Sequence, residues 1–442
     1  MRLNYYLAKG SLVGALGGFL FGFDTAVISG TTQQLGEVYH LSPFNLGLTV
    51  SIAVIGAVVG AMSSGELGQK IGPRQALRIM AMLYLISSIG CAFAWNWPTL
   101  VAFRFLGGLG IGGSSVLGPV YIAELAPAKW RGRLVGLFQI NIVIGILLAY
   151  ASNYVIATVN AGPTQWRWQL GIASIPAGLF LVLLFAIPRS SRWLVTQSRI
   201  EEARQVLQMM GTPNTEEELQ EIIASIHLER SSRKEPLFQK KYGLPIFLAV
   251  TIGLFNQLSG INAILYYLPS IFNDAGFSKL SGDKQAVLVG AMNLVATLLA
   301  MSVIDKIGRK TLLLIGSVGT AVSLAGVAEI FHTQRGQSML LGYLIGFIFF
   351  FAISQGAVIW VYLSEVFPTR VRSKGQSLGS SSHWIMNATL SLLFPIVAEH
   401  SNAAPFVFFA SMMALQFFIV LFVYPETKGV TLEQMQHKLG ID

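Results

Sequence analysis

Charge is what this chain has least of. Lys, Arg, Asp and Glu together make up 12% of its 442 residues, where a soluble domain carries about 25%. That shortage excludes an ordinary soluble globular protein. Cysteine is nearly absent too: Cys91 stands alone, so no intrachain disulfide can form, and cysteine says nothing about the compartment. The six histidines (His40, His227, His332, His383, His400, His437) are scattered. They show no metal-ligand spacing and no nucleophile–base pairing, so neither a metal site nor a membrane enzyme is expected.

Apolar length is what the chain has instead. Hydrophobic residues make up 53%, and the mean hydropathy is +0.61. Apolar runs of about 20 residues, the length that crosses a bilayer, recur twelve times: roughly 11–33, 47–67, 77–95, 99–121, 133–157, 168–187, 244–272, 285–304, 311–331, 339–363, 375–397 and 404–424. The pattern predicts an all-α membrane protein with twelve transmembrane helices. The first run is long and continues past any small-residue cleavage pattern, so no cleavable signal peptide is expected.

A net charge of +9 would suit a polyanion partner if it were gathered on one face. Its distribution points elsewhere. With the N-terminus placed inside, 25 of the 30 Lys and Arg fall in inner loops. Only Arg167, Lys279, Lys284 and Arg335 fall outside, and Arg104 stays in the membrane. The positive-inside rule therefore predicts both termini in the cytoplasm, and no nucleic-acid partner.

The chain also repeats itself. Tyr121-Ile-Ala-Glu124-Leu-Ala-Pro127 with Arg131 matches Tyr362-Leu-Ser-Glu365-Val-Phe-Pro368 with Arg372. Lys70-Ile-Gly-Pro-Arg74 matches Lys306-Ile-Gly-Arg-Lys310, and Pro188-Arg189 sits where Pro425-Glu426 recurs. Offsets of 236 to 241 residues place equivalent elements six helices apart. Two parallel six-helix halves with a binding site between them describe a secondary transporter. The expected domains are 1–188, a linker at 189–242, 243–426, and a cytoplasmic tail at 427–442. In the linker, Glu201 to Leu207 and Glu216 to Leu219 read as short charged amphipathic helices on the cytoplasmic face.

The most polar stretch inside an apolar run is Phe255 to Pro269. Asn256, Gln257, Asn262 and Tyr266 put four hydrogen-bonding groups in eleven residues. Unpartnered in lipid, such groups are costly. A single Asn reads equally well as interhelical glue; four together indicate a polar cavity, and being uncharged they suit a neutral, hydroxyl-rich ligand. Gly260 and Pro269 could bend or unwind the helix so that Gln257 and Asn262 point inward together.

Asp24 is expected to be the only carboxylate deep in any span, at a cost of about 2.5–3.5 kcal/mol if unpaired, and Arg104 is the basic group comparably placed. The two are expected to pair. Trp95, Trp97, Trp166 and Trp168 fall at outer helix ends, and Trp130 and Trp193 at inner ones, as interfacial belts would have them. Trp360 and Trp384 lie within spans and are candidates to pack against the apolar face of a ring. Gly356, one turn before Trp360, would admit a ligand close to the backbone. Asn387 shares a face with Trp384. Gln139 lies between apolar residues and reads as glue or ligand.

Gly22-Phe-Asp-Thr-Ala-Val-Ile-Ser-Gly30, Arg104-Phe-Leu-Gly-Gly108, Tyr121 to Arg133, Gln257-Leu-Ser-Gly-Ile-Asn262 and Pro425-Glu-Thr-Lys-Gly429 resemble the sugar porter family of the major facilitator superfamily, in order and along the whole chain. The resemblance implies a two-bundle transporter of the plasma (inner) membrane with a cytoplasmic helical domain, moving a monosaccharide such as glucose, galactose or xylose by alternating access. It implies no cofactor beyond a coupling proton. Asp24 matches the aspartate that takes the proton in related symporters, Phe21 an aromatic of the sugar site, and Gln139 a sugar-binding glutamine. His383 stands where relatives carry Gln or Asn; it would imitate an amide, the favoured reading, or titrate. Asn256 replaces the first of two usual glutamines. In the inner charge network, Asp305, Arg309, Lys310, Glu365, Arg372 and Glu426 of the second half match the family's pattern. In the first half Glu124 and Arg131 remain, but Gln69, Pro73 and Arg189 depart from it. Proton symport is therefore expected. A facilitative uniporter would need no ionisable group at position 24, and a sugar sensor would carry a longer tail.

Overall fold

The computed structural model describes residues 5–126, 128–159, 162–212, 214–231, 235–368, 370–430 and 432–441, apart from the side chains at 128–129, 131–132, 228–231 and 432–433. Among the described residues every regular element is a helix. Eleven helical segments among the described residues are long and apolar enough to cross a membrane. The twelfth expected run, 375–397, forms one continuous helix, Arg372–His400, but its serines, His383 and Asn387 make it too polar to qualify on composition. A helix that polar avoids lipid on at least one face.

The chain folds into two compact units, Met1–Val27 with Ile52–Ala149 and Thr164–Arg233, and Ile28–Ser51 with Tyr150–Pro163 and Lys234–Asp442.

In the first unit the Tyr5–Val27 and Pro73–Ala92 helices both pack against Trp97–Leu125. Packing inside a membrane rests on close van der Waals approach, so small residues line the contacts. At Gly22 the approach is closest: a Cβ there would collide with the Ile142 carbonyl. The Trp97–Leu125 helix, which carries Arg104, starts from Asn96, whose side chain accepts from the Thr99 N–H at 2.9 Å, with Pro98 in the first turn; both are standard helix-start devices. The run expected over 168–187 is interrupted, as Gln165–Gly171 and Ser174–Leu183. Three short helices, Ser191–Thr196, Ile200–Met209 and Thr215–Ser231, complete the unit. Arg204 joins the last two by ion pairs to Glu201 and Glu216.

In the second unit the polar stretch does break the helix. Gly243–Leu258 ends, and Ile261–Asp274 begins after Gly260, whose φ is +83°. That left-handed conformation favours glycine, and a Cβ at Gly260 would also run into the Phe409 ring. Ser259 occupies the break, its hydroxyl donating to the Asn256 carbonyl at 2.7 Å. A second interruption lies in the run over 339–363: Leu340–Phe351 passes through a π-helical turn, Ala352–Gly356, into Ala357–Glu365. Tyr362 stacks on Tyr424 with ring centroids 5.3 Å apart, amid a buried cluster that includes Leu248, Ile252, Leu312 and Val420.

Candidate functional site

Each unit holds its own polar cluster in apolar surroundings. In the first, Arg104 Nη1 donates to Asp24 Oδ1 at 2.9 Å, with side chains 4% and 16% exposed. An arginine so buried is tolerated only when partnered, and removing its partner would cost about 3–5 kcal/mol. Tyr84, fully buried, lies within electrostatic reach of both charges without a well-formed hydrogen bond. Phe21 lies one turn before Asp24 and is half-buried. Gln139 is half-buried in the Ala128–Val159 helix, and its amide makes no hydrogen bond among the described residues.

The second cluster spans three helices. Asn256 Nδ2 donates to the Gln355 carbonyl at 3.3 Å, and Asn256 Oδ1 accepts from Gln257 Nε2 at 3.0 Å. The same Gln257 nitrogen faces both ring nitrogens of His383, at 3.3 and 3.4 Å. Gln257 is only 2% exposed, and its Oε1 has no partner among the described residues. His383 packs between two indoles, its centroid 5.4 Å from Trp360 and 5.3 Å from Trp384. Trp360 is 41% exposed, whereas Trp384 is buried. Gly356 closes the π-turn one helical turn ahead of Trp360. Tyr266 is buried on the Ile261–Asp274 helix, which is held by Tyr150, whose hydroxyl donates to the Leu265 carbonyl at 2.7 Å. Asn262, half-buried, makes no side-chain hydrogen bond among the described residues. Asn387 accepts from the Ser391 hydroxyl at 3.1 Å through Oδ1, and its Nδ2 is buried without a partner among the described residues. Gln257, His383, Trp360 and Asn256 thus come together, while Asn387 turns to its own helix.

The inner network predicted for the second half is also assembled. Arg309 makes a two-pronged bond to Glu365, at 2.9 and 3.2 Å, and reaches Asp305 at 3.0 Å. Glu426 accepts backbone N–H groups from Arg309, Lys310, Thr427 and Lys428, at 2.9 to 3.0 Å. A carboxylate at the start of the Arg309–Thr333 helix is favoured by the helix dipole. Burial would raise the Glu426 pKa, but these four donors outweigh it and hold the carboxyl below its ordinary value. Lys310 Nζ caps the Leu421 carbonyl, and Arg372 donates to the Phe367 carbonyl. In the first unit the corresponding positions are filled differently. Ser190 donates to Glu124, Trp193 Nε1 donates to the Gln69 carbonyl, and Arg74 donates to the Ile187 carbonyl. Arg189 pairs with Glu202 at 3.5 Å and lies within electrostatic reach of Arg74 and Arg78. The Arg131 side chain lies outside the described residues.

Three features go beyond the sequence reading. Asp283, 2% exposed near the start of the Lys279–Ile307 helix, is a buried carboxylate that the sequence reading did not single out. The helix begins six residues before the apolar run does, which draws Asp283 into the packed part. Trp166, near the start of the Gln165–Gly171 helix, is buried, with the Arg167 guanidinium over its ring. Behind the amide cluster, Gln355 Nε2 donates to Gln416 Oε1 at 2.8 Å, a buried pair not singled out from the sequence. The signal for it was available, since each is a lone amide in an apolar run. A cleft of about 490 Å³ in the second unit, bordered by Tyr267, Asp274, Phe394, Glu399 and His400, holds none of the expected site residues.

Comparison with known proteins accords with this architecture. The family model described as "Sugar (and other) transporter" matches residues 10–439. The D-xylose-proton symporter of Escherichia coli (strain K12) is 35% identical over 471 residues, covering 98% of this chain and 95% of that one. The arabinose-proton symporter of Bacillus subtilis (strain 168) is 35% identical over 433 residues, covering 96% and 93%. The inward-open structure of the xylose transporter XylE from E. coli superposes with a TM-score of 0.88 at 35% identity, over 98% of this chain and 100% of that one. With the family model spanning nearly the whole chain, and with polar clusters built into apolar helices, the chain is an integral membrane transporter, not an enzyme, and belongs to the sugar porter family of the major facilitator superfamily.

Proposed function

We propose that this transporter carries a monosaccharide, a pentose or hexose, across the plasma (inner) membrane by alternating access, as a sugar:proton symporter in which Asp24 takes the proton. The observation that carries the reading is the buried Asp24–Arg104 pair. A facilitator has no use for an ionisable group there, and its upkeep in an apolar helix is expensive. The relatives named for D-xylose–proton and arabinose–proton symport support the same reading. Gln139, Asn262 and the Gln257 oxygen, unengaged among the described residues, are offered to sugar hydroxyls. Trp360, with Phe21, Tyr266, Trp384 and the opening at Gly356, packs the ring, His383 acts as a neutral amide mimic, and Asn387 lends its unpaired amide nitrogen. No cofactor beyond the coupled proton is required. The Lys and Arg distribution supports cytoplasmic termini and a cytoplasmic linker at 189–242 between halves at 1–188 and 243–426. There Glu124, Arg131, Asp305, Arg309, Lys310, Glu365, Arg372 and Glu426 would stabilise the inner-side contacts.

Counterflow and uptake in proteoliposomes, across D-xylose, L-arabinose, D-glucose and D-galactose, test this. Uptake of at least one sugar above its equilibrium level, only when a proton gradient is imposed, is the expected result. Saturable exchange with no accumulation under any gradient would make the protein a uniporter. No exchange of any sugar would overturn the reading.

A further inference from the structure

The sequence places Asn256 among the sugar ligands; its hydrogen bonds give it another task. We propose that Asn256 is a positioning residue that fixes which end of the Gln257 amide faces the sugar. The reasoning starts at the π-turn. The Gln355 carbonyl belongs to that turn, and a carbonyl oxygen only accepts. The Asn256 atom 3.3 Å from it must therefore be the amide nitrogen. The other end of Asn256, its oxygen, then requires a donor, and finds one in Gln257 Nε2 at 3.0 Å. That fixes Gln257 in turn. Its nitrogen points at Asn256 and at His383, so its oxygen is the end left over. His383 meets the arrangement as a neutral ring, which always keeps one nitrogen lone pair for an N–H donor, whereas a doubly protonated ring keeps none.

One backbone carbonyl thus sets the direction of two side chains. Asn256, buried, has its oxygen and one N–H committed within the protein, whereas Gln257 retains a free acceptor. The sugar site is thereby fixed as accepting at this point: it takes a hydroxyl hydrogen and does not supply one. Asn256 also joins the helix carrying Gln257 to the turn that leads to Trp360.

This rests on Gln257 lying at the sugar site, as the proposed function has it. The test is calorimetry on the purified full chain with D-xylose and D-glucose and the monodeoxy analogues of whichever binds. Asn256→Ala should weaken binding of the parent sugar roughly ten-fold, and the one analogue that lacks the hydroxyl held by Gln257 should lose little, because Asn256 acts only through Gln257. Asn256→Gln, which retains donor and acceptor, should recover most of that loss. The double variant Asn256→Ala/Gln257→Ala should bind no more weakly than Gln257→Ala alone. The proposal is overturned if the deoxy analogue insensitive to Asn256→Ala is not the one insensitive to Gln257→Ala, or if the two substitutions are additive. Gln257→Ala leaving affinity unchanged would overturn the sugar-site reading itself, and the proposal with it. Should Asn256→Ala fail to fold, Asn256→Ser, which keeps a single small hydrogen-bonding group, is read by the same criteria.

Discussion

Replacing Glu426 by Gln tests the inner end of the second unit with one atom changed. Wild-type Glu426 accepts three backbone N–H groups on Oε1, from Arg309, Thr427 and Lys428, and that of Lys310 on Oε2. In the Gln variant one oxygen remains, and an amide N–H₂ faces the Lys310 N–H, donor against donor. A hydrogen bond to a charged group contributes about 1.5–3 kcal/mol, against about 0.5–1.5 for a neutral pair. The charge at the helix start adds about 0.3–1 kcal/mol. The site is half-exposed, so the low ends apply, and the loss is about 2 kcal/mol. For a unit of this size that lowers the melting temperature by about 4–8 °C. The pH dependence has a definite sign. The folded carboxyl is held below its ordinary value of 4.5, so its contribution is fully present above that value and is lost as pH falls through the depressed one. The gap between wild type and variant should be constant from about pH 8 to pH 5 and close only in stronger acid. Thermal unfolding in detergent, followed by tryptophan fluorescence across that range, measures it. A melting temperature within about 1 °C of wild type, or a gap already closing near pH 6, would refute the reasoning.

Gly308→Ala should produce a similar loss, because its Cβ would sit 2.7 Å from Glu426 Oε2 at a backbone φ of +104°; the two changes combined should be less than additive in the same melt. Asp24→Asn keeps an oxygen for Arg104, so the variant should fold and exchange sugar. Its accumulation under a gradient of about 100 mV, worth about 2.3 kcal/mol or roughly fifty-fold, should fall to about one; accumulation that persists in vesicles would remove Asp24 from the coupling role. Gln139→Ala, Gln257→Ala, Asn262→Ala and Trp360→Ala should each weaken sugar binding by about 1–3 kcal/mol, and four near-native affinities by calorimetry would move the site elsewhere. Gly260→Ala should destabilise by at least about 1–2 kcal/mol from the left-handed backbone alone, before the Phe409 ring is displaced; an unchanged melting temperature would mean the break is not held at Gly260.

The fold was legible wherever one residue property repeats. Apolar runs of bilayer length mark the spans because lipid leaves the backbone little alternative to helix. Asp24 and Arg104 stood out as isolated charges in such runs, and Gly260 as a glycine amid amides. What stayed hidden depends on which residues face each other. The π-turn at Ala352–Gly356 has no composition of its own; its Ser and Gln sit in an otherwise apolar run. Gln355 and Gln416 are 61 residues apart and acquire meaning only as a pair. Asp283 was not singled out because hydropathy ended the run where packing did not. The place of Trp166 at a helix end could be read from its position, but not its burial within the fold.

The π-turn has a further consequence, one of phase. A residue advances an α-helix by about 100°, and a π-turn adds one residue without a matching advance in the downstream face. Every side chain after Gly356 is therefore rotated by that step relative to an uninterrupted helix. Two of them serve opposite ends of the same segment: Trp360, beside His383, and Glu365, gripped by Arg309. Deleting one residue within 352–356 would heal the helix and swing both out of register together. The insertion thus acts as a single gear tooth between the aromatic wall and the inner ion pair, and neither can be re-aimed by a change of length without moving the other.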